Sequence, residues 1–100
     1  MILGLLITSE NHLNHIIGLA NAASAKGHEV ILFCMDKGTK LIEKSEFTDL
    51  CKVNNVLISL CRHSAEEHGV ETNNLSKDIV CGSQFNNVMM NHEADKVLVL

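Results

Sequence analysis

Cys61 is the residue of this chain whose surroundings best suit a chemical reaction. It directly follows the apolar run Val56–Leu60, and the residues from about Arg62 to His68 predict a short helix that stops at Gly69. A cysteine between a strand and a helix lies near the unpaired N–H groups and the positive dipole end of that helix, which favour the thiolate. The alternative is that Cys61 is a small buried hydrophobic residue, as most free cysteines are.

The neighbours of Cys61 leave two kinds of site open. Arg62 and His63 add positive potential that would favour a thiolate, although His63 could equally be an exposed helix residue. Zinc is the competing interpretation, because Cys61, His63 and Cys81 could supply three ligands. The four cysteines nevertheless lack the C-x₂₋₄-C spacing of structural zinc sites, so we predict a reactive thiol and no metal.

The elements around Cys61 alternate between strand and helix. A helix beginning after a Thr8 or Ser9 cap has apolar residues at helical spacing and closes at Lys26-Gly27, and Ser83 caps a second helix in which Phe85, Val88 and Met89 share a face. Between residues 35 and 54 the pattern is weaker and indicates short helices. The predicted strands are 2–7, 29–34, 56–60, 78–81 and 96–100.

This order predicts an α/β fold with an open, mostly parallel sheet of about five strands and helices on both faces. In such sheets the functional crevice lies outside the carboxyl ends of the strands. Cys34, Cys61 and Cys81 all fall at that edge. Cys34 and Cys81 are therefore candidates for a second thiol beside Cys61, with simple packing as the alternative, whereas Cys51 is expected to pack inward from a helix.

Composition excludes several classes of function. One hundred residues with 46% hydrophobic content predict one domain spanning residues 1–100. A net charge of −4 and three aromatic residues offer nothing for nucleic acid to bind or stack on. The apolar start is too short to span a membrane and lacks the features of a signal peptide. No dinucleotide, Walker or flavin phosphate loop is present, so no cofactor is expected. The core is richer than that of a secreted mini-protein held together by disulfides, so we expect free thiols and a reducing compartment.

Two stretches resemble the DsrE/DsrF/TusD group of small sulfur-relay proteins, and the similarity covers essentially the whole length. These are Val56–Val70, with its strand, cysteine, short helix, Gly and Val, and Asn91–Leu100, an acidic-Ala-Asp-basic-Val-Leu ending. The resemblance implies a DsrE-like, flavodoxin-like three-layer fold and a cytoplasmic protein. It further implies that Cys61 carries sulfur as a persulfide between donor and acceptor proteins, within a homotrimer or homohexamer. A non-catalytic oligomeric subunit or a metal-binding module of the same fold is the alternative.

Overall fold

The computed structural model describes residues 1–100 and builds one five-stranded sheet with four α-helices. The strands are β1 (Ile2–Ile7), β2 (Glu29–Cys34), β3 (Val56–Cys61), β4 (Ile79–Gly82) and β5 (Lys96–Val99). The helices are α1 (Leu13–Ala25), α2 (Ser45–Thr48), α3 (Arg62–Glu67) and α4 (Gln84–Glu93), with 3₁₀-helical segments at Asp36–Glu43 and Asp49–Lys52. None of the helices is long and apolar enough to cross a membrane.

The sheet has the strand order β4-β3-β2-β1-β5, and every neighbouring pair is parallel. The chain therefore steps outward from β1 to β4 and then returns across the sheet to place β5 beside β1. This arrangement confirms the predicted parallel α/β fold. Because all strands run the same way, their carboxyl ends meet at one edge, where β2, β3 and β4 end close to one another.

The two faces of the sheet are covered unequally. On one face, α1, α2, α3 and the 3₁₀ segments bury a large core; on the other, α4 lies across β1, β2 and β3. The second face has a small core of Phe33, Cys61 and Met90. The large core consists of Leu5, Ile7, Ile16, Ala20, Val30, Leu32, Cys34, Leu41, Ile42, Phe47, Leu50, Val56, Ile58, Leu60, Ala65, Val70 and Ile79.

Strand alternation assigns the cysteines at the functional edge to different faces. Leu60 is in register with Cys34 of β2 and with Cys81 of β4, so these three side chains share the face of the large core. Cys61 is the next residue of β3 and therefore projects from the opposite face, where Gly82 is its partner in β4. The three cysteines are therefore neighbours along the edge of the sheet, but the thiol of Cys61 lies on the opposite face from those of Cys34 and Cys81.

The start of α1 differs from the prediction. The helix begins at Leu13 after His12, and no side chain caps it. Ser9 instead donates its hydroxyl hydrogen to the carbonyl oxygen of Leu100 at 2.9 Å, which ties the end of β1 to the end of the chain. The predicted Thr8 or Ser9 cap is therefore wrong, because the serine is used for a contact far away in sequence. The predicted helix end is confirmed by Gly27, whose φ is +82°.

The 3₁₀ segment after β2 packs very close to β1. Gly38 is buried in this segment, and a Cβ atom at this position would overlap the backbone carbonyl of Ile7. The chain there starts from Asp36, a non-glycine residue with a φ of +49°, whose carbonyl accepts a hydrogen bond from the Thr39 hydroxyl at 2.7 Å. This tight turn sets the position of Met35 and Asp36 beside the end of β3.

The outer side of α4 is apolar and uncovered. Phe85 is 67% exposed and Val88 is 62% exposed, and Met89, expected in the core, is 38% exposed. Met90 is buried as expected. The face shared by Phe85, Val88 and Met89 is confirmed as a helical face, but it points away from the small core because Met90 occupies the inward position.

Candidate thiol site

Cys61 ends β3 and is also the residue that precedes the first turn of α3. Its backbone is extended, with φ −85° and ψ 115°, as is usual for a residue in this capping position. The strand was predicted to end at Leu60, one residue earlier. The extra strand residue matters, because it pairs Cys61 with Gly82 and so brings the start of α4 beside the sulfur.

Polar hydrogens face the Cys61 sulfur from two helices. They come from the N–H and hydroxyl of Ser64, the side-chain amide of Gln84 and the N–H of His63. Burial alone would raise the pKa of Cys61, but these interactions outweigh it and the pKa lies below that of an ordinary thiol. The side chain of Cys61 makes no capping hydrogen bond to α3, and these groups act on the sulfur through the partial positive charge on their hydrogens.

The sulfur lies in an open cleft of about 740 Å³ at the carboxyl edge of the sheet. Cys61 is only 4% exposed, so it forms part of the floor of this cleft. Ser64 is buried beside it, whereas the side chains around the rim are exposed or half-buried. The lining residues are Met35, Asp36, Cys61, Arg62, His63, Ser64, Glu66, Glu67, Gly82, Ser83 and Gln84.

Arg62 and His63 lie at the cleft, but their charged groups are engaged elsewhere. The Arg62 guanidinium interacts with the sulfur of Cys81, and this hydrogen bonding and charge raise the pKa of Arg62. The imidazole Nε2 of His63 lies 3.3 Å from Glu67 Oε1, in an exposed pair on the helix surface. His63 therefore contributes its backbone N–H to Cys61, and Arg62 is not among the groups that lower the pKa of this thiol.

The other cysteines lie outside the cleft. Cys34 is fully buried in the large core, and burial holds its pKa far above that of an ordinary thiol, so it is not a nucleophile in the folded chain. Cys81 is half-buried and packs against the same core from the opposite face to Cys61. Cys51 also packs against that core, as expected. The structure therefore brings neither Cys34 nor Cys81 into the crevice that contains Cys61.

The first turn of α4 is built so that Gln84 faces the cleft. Ser83 accepts a hydrogen bond from the N–H of Phe85 at 3.2 Å, and its own N–H donates to Asn86 Oδ1 at 3.1 Å, which forms a capping box. A Cβ atom on Gly82 would collide with that Asn86 oxygen. The predicted Ser83 cap is thus confirmed, and Gly82 leaves the space that the cap requires.

The positions of Ser64 and Gln84 beside Cys61 were not predicted from the sequence. Ser64 had a signal, since it stands three residues after Cys61, the spacing at which a first-turn N–H and hydroxyl face a capping side chain. Gln84 had no local sequence signal. It reaches Cys61 because β3 and β4 are paired in a particular register, and that pairing is a long-range property of the sheet.

No three or more histidine, cysteine, aspartate or glutamate side chains are grouped so that they could hold a metal ion. Cys61 and Cys81 project from opposite faces of the sheet, and the His63 imidazole is paired with Glu67. The three zinc ligands considered from the sequence are therefore not assembled. The arrangement that the structure does build is a single thiol surrounded by hydrogen-bond donors.

Comparison with known proteins gives two positive findings. The model of the DsrE/DsrF-like family matches residues 1–100. The crystal structure of the ychN protein from E. coli is similar, with a TM-score of 0.71 and 19% sequence identity over 99% of this chain and 97% of that one. At that identity the likeness is one of fold. No curated protein matches this chain.

Proposed function

This chain belongs to the DsrE/DsrF-like family, which is of the sulfur-relay type, and we propose that it is a sulfur carrier that holds a persulfide on Cys61. The observation that carries the proposal is the environment of this thiol. Cys61 lies on the floor of an open cleft, and the surrounding donors lower its pKa despite its burial. A thiolate that can be reached from outside is what a sulfur acceptor requires.

The loading step is a thiol exchange at a sulfane sulfur. The Cys61 thiolate attacks the outer sulfur of a donor persulfide, R–S–SH, and a new bond forms from Sγ to that sulfur as the donor S–S bond breaks. The bonding electron pair leaves with the donor as R–S⁻. The transferred sulfur keeps its oxidation state, so the step needs no further oxidant. Its proton is lost to solvent, and an acceptor thiolate later removes the sulfur in the same way.

The proposal assigns roles to the groups around Cys61. His63 contributes its N–H to the sulfur, and Arg62 places a positive charge in the lining of the cleft, where it would attract an anionic donor. The openness of the cleft suits exchange with donor and acceptor proteins, whose cysteines must approach the sulfur directly. A carrier of this kind would work in the cytoplasm, where thiols are kept reduced.

The test is to map sulfur loading on the unmodified chain. We expect incubation with cysteine persulfide to add one sulfur, and peptide mass spectrometry to locate it on the peptide that contains Cys61. A reductant should remove it. Sulfur found on the Cys51 or Cys81 peptide, or no sulfur at all, would overturn the proposal and favour a non-catalytic subunit.

We further propose that the chain forms a homotrimer or homohexamer through the face that carries α4. On this face α4 exposes the side chains of Phe85 and Val88, and a separate groove of about 250 Å³ is lined in part by Leu57, Val80 and Met89. Several exposed apolar side chains on one face are typical of a protein interface. In a closed ring of copies, this surface of one chain is covered by a different surface of the next chain.

A charged residue in this apolar face should dissociate the assembly. We expect light scattering of the unmodified chain to give a multiple of 11.0 kDa, and Val88→Asp to give the monomer mass. Asn21→Asp, an exposed position on α1 across the sheet, is the matched control and should leave the assembly intact. A monomer mass for the unmodified chain at micromolar concentration would contradict this proposal.

A further inference from the structure

Three side-chain amides form a directed row along α4. Asn91 Nδ2 donates to Asn87 Oδ1 at 2.8 Å, and Asn87 Nδ2 donates to Gln84 Oε1 at 3.2 Å. The spacings of three and four residues place the three side chains on one side of the helix. Each bond points toward the start of α4, and the row therefore ends at the amide nitrogen of Gln84, beside the cleft.

The row determines which end of the Gln84 amide faces sulfur. An amide carries an acceptor oxygen at one end and two N–H donors at the other. Because Asn87 donates to the oxygen of Gln84, the NH₂ group is turned the other way, toward Met35 Sδ at 3.8 Å and toward Cys61 Sγ. Hydrogen bonds in such a chain polarise one another, which strengthens the last donor.

Gln84 differs in position from the other donors around Cys61. The groups of His63 and Ser64 belong to the first turn of α3 and face the inner sulfur. The Gln84 amide comes from α4 and spans the space between Cys61 and Met35. A persulfide extends from Cys61 by one sulfur atom, and after ionisation this outer atom carries the negative charge. The donor available to the negative charge on this outer sulfur is therefore the Gln84 amide.

We propose that Gln84 binds the outer sulfur of the Cys61 persulfide, and that Asn87 and Asn91 are positioning residues that hold its amide in the donating orientation. This inference rests on the proposed function and adds a binding group for the transferred sulfur. One N–H remains directed at Cys61 Sγ. The other exchanges its long contact with the Met35 thioether for one with the negatively charged sulfur, which is the stronger acceptor.

Two variants test the proposal at different distances from the thiol. Gln84→Leu removes the donor. Asn87→Asp replaces the group that donates to the Gln84 oxygen with a carboxylate, which would instead attract the Gln84 NH₂ group and turn it away from sulfur. His92→Ala is the matched control, an exposed α4 residue outside the row. Circular dichroism should show the same fold in all of them.

The measurement is the rate at which Cys61 passes its outer sulfur to a fixed concentration of free cysteine, after loading with cysteine persulfide and removal of the donor; the cysteine thiolate takes the sulfur and the Cys61 thiolate leaves. We expect Gln84→Leu and Asn87→Asp to lose the sulfur roughly tenfold faster, as for a lost hydrogen bond to a charged group, and His92→Ala to match the unmodified chain. The pH profile of Cys61 alkylation should also move upward in the first two variants. His92→Ala should leave that profile unchanged.

The outcomes separate this inference from the proposed function. If the unmodified chain does not load sulfur, the proposed function itself fails. If it loads and both variants hold the persulfide as long as it does, the role of Gln84 is overturned while the carrier function stands. If Gln84→Leu shortens the lifetime and Asn87→Asp does not, Gln84 is retained as the binding group and the positioning role of Asn87 is overturned.

Discussion

Replacing Cys61 with serine is expected to abolish persulfide loading and leave the fold intact. Serine keeps the shape of the side chain to within the difference between oxygen and sulfur, and its position beside Phe33 and Met90 tolerates a small loss of volume. The hydroxyl is not ionised near neutral pH and cannot take up a sulfane sulfur. Intact mass spectrometry after incubation with cysteine persulfide should therefore show no reducible sulfur at this position, against full loading of the unmodified chain.

Substitutions at the other accessible thiols serve as controls for this result. Cys51→Ser should load normally, because Cys51 lies beside Ser76 and outside the lining of the cleft. Cys81→Ser tests the candidate second thiol, and we expect loading to persist because Cys81 projects from the other face of the sheet. A Cys61→Ser chain that still gains a reducible sulfur would refute the carrier role of Cys61.

Gly38→Ala is expected to destabilise the fold strongly. The added methyl group would overlap the carbonyl of Ile7, and backbone in the middle of a sheet cannot move aside as a flexible side chain can. We expect a loss of about 3 kcal/mol in the free energy of unfolding, or a decrease of roughly 10–20 °C in Tm for a chain of this length. Urea denaturation followed by circular dichroism would measure it.

The same substitution at Gly18 should change the free energy of unfolding in the opposite direction. Gly18 is exposed within α1, and a Cβ atom there would meet nothing within 4 Å. Alanine restricts the unfolded chain and suits a helix, so Gly18→Ala should stabilise the protein by about 0.5–1 kcal/mol. If both variants changed stability alike, the close approach of Gly38 to β1 would not be the cause.

The fold could be predicted from the sequence because most of its signals are local. The apolar run Ile2–Ile7 is followed by Thr8 and Ser9, and the apolar run Val30–Cys34 is preceded by Glu29. The structure forms strands at Ile2–Ile7 and Glu29–Cys34. Gly27 and Ser83 likewise mark helix ends through their own chemistry. Between residues 35 and 54, two 3₁₀ segments flank a single helical turn, and such short elements depend on packing against the sheet more than on propensity.

The candidate site could be predicted only in part. The position of Cys61 follows from its place between a strand and a helix, which adjoin in the sequence. The absence of Cys34 and Cys81 from the cleft follows from strand register, since one residue of register decides which face a side chain occupies. The exposure of Met89 was not predicted from the sequence either. It arises because α4 is the only helix on that face of the sheet and Met90 takes the inward position on α4.

The opposite orientation of Cys61 and its neighbouring thiols also determines where a carried sulfur could go. A disulfide requires two Cβ atoms that point toward each other at short range, and Cys34 and Cys81 point into the layer beyond the sheet. No internal thiol is therefore placed to attack a persulfide on Cys61 and release its outer sulfur as sulfide. The sheet separates the carried sulfur from the chain's own cysteines, so transfer of this sulfur requires contact with another molecule.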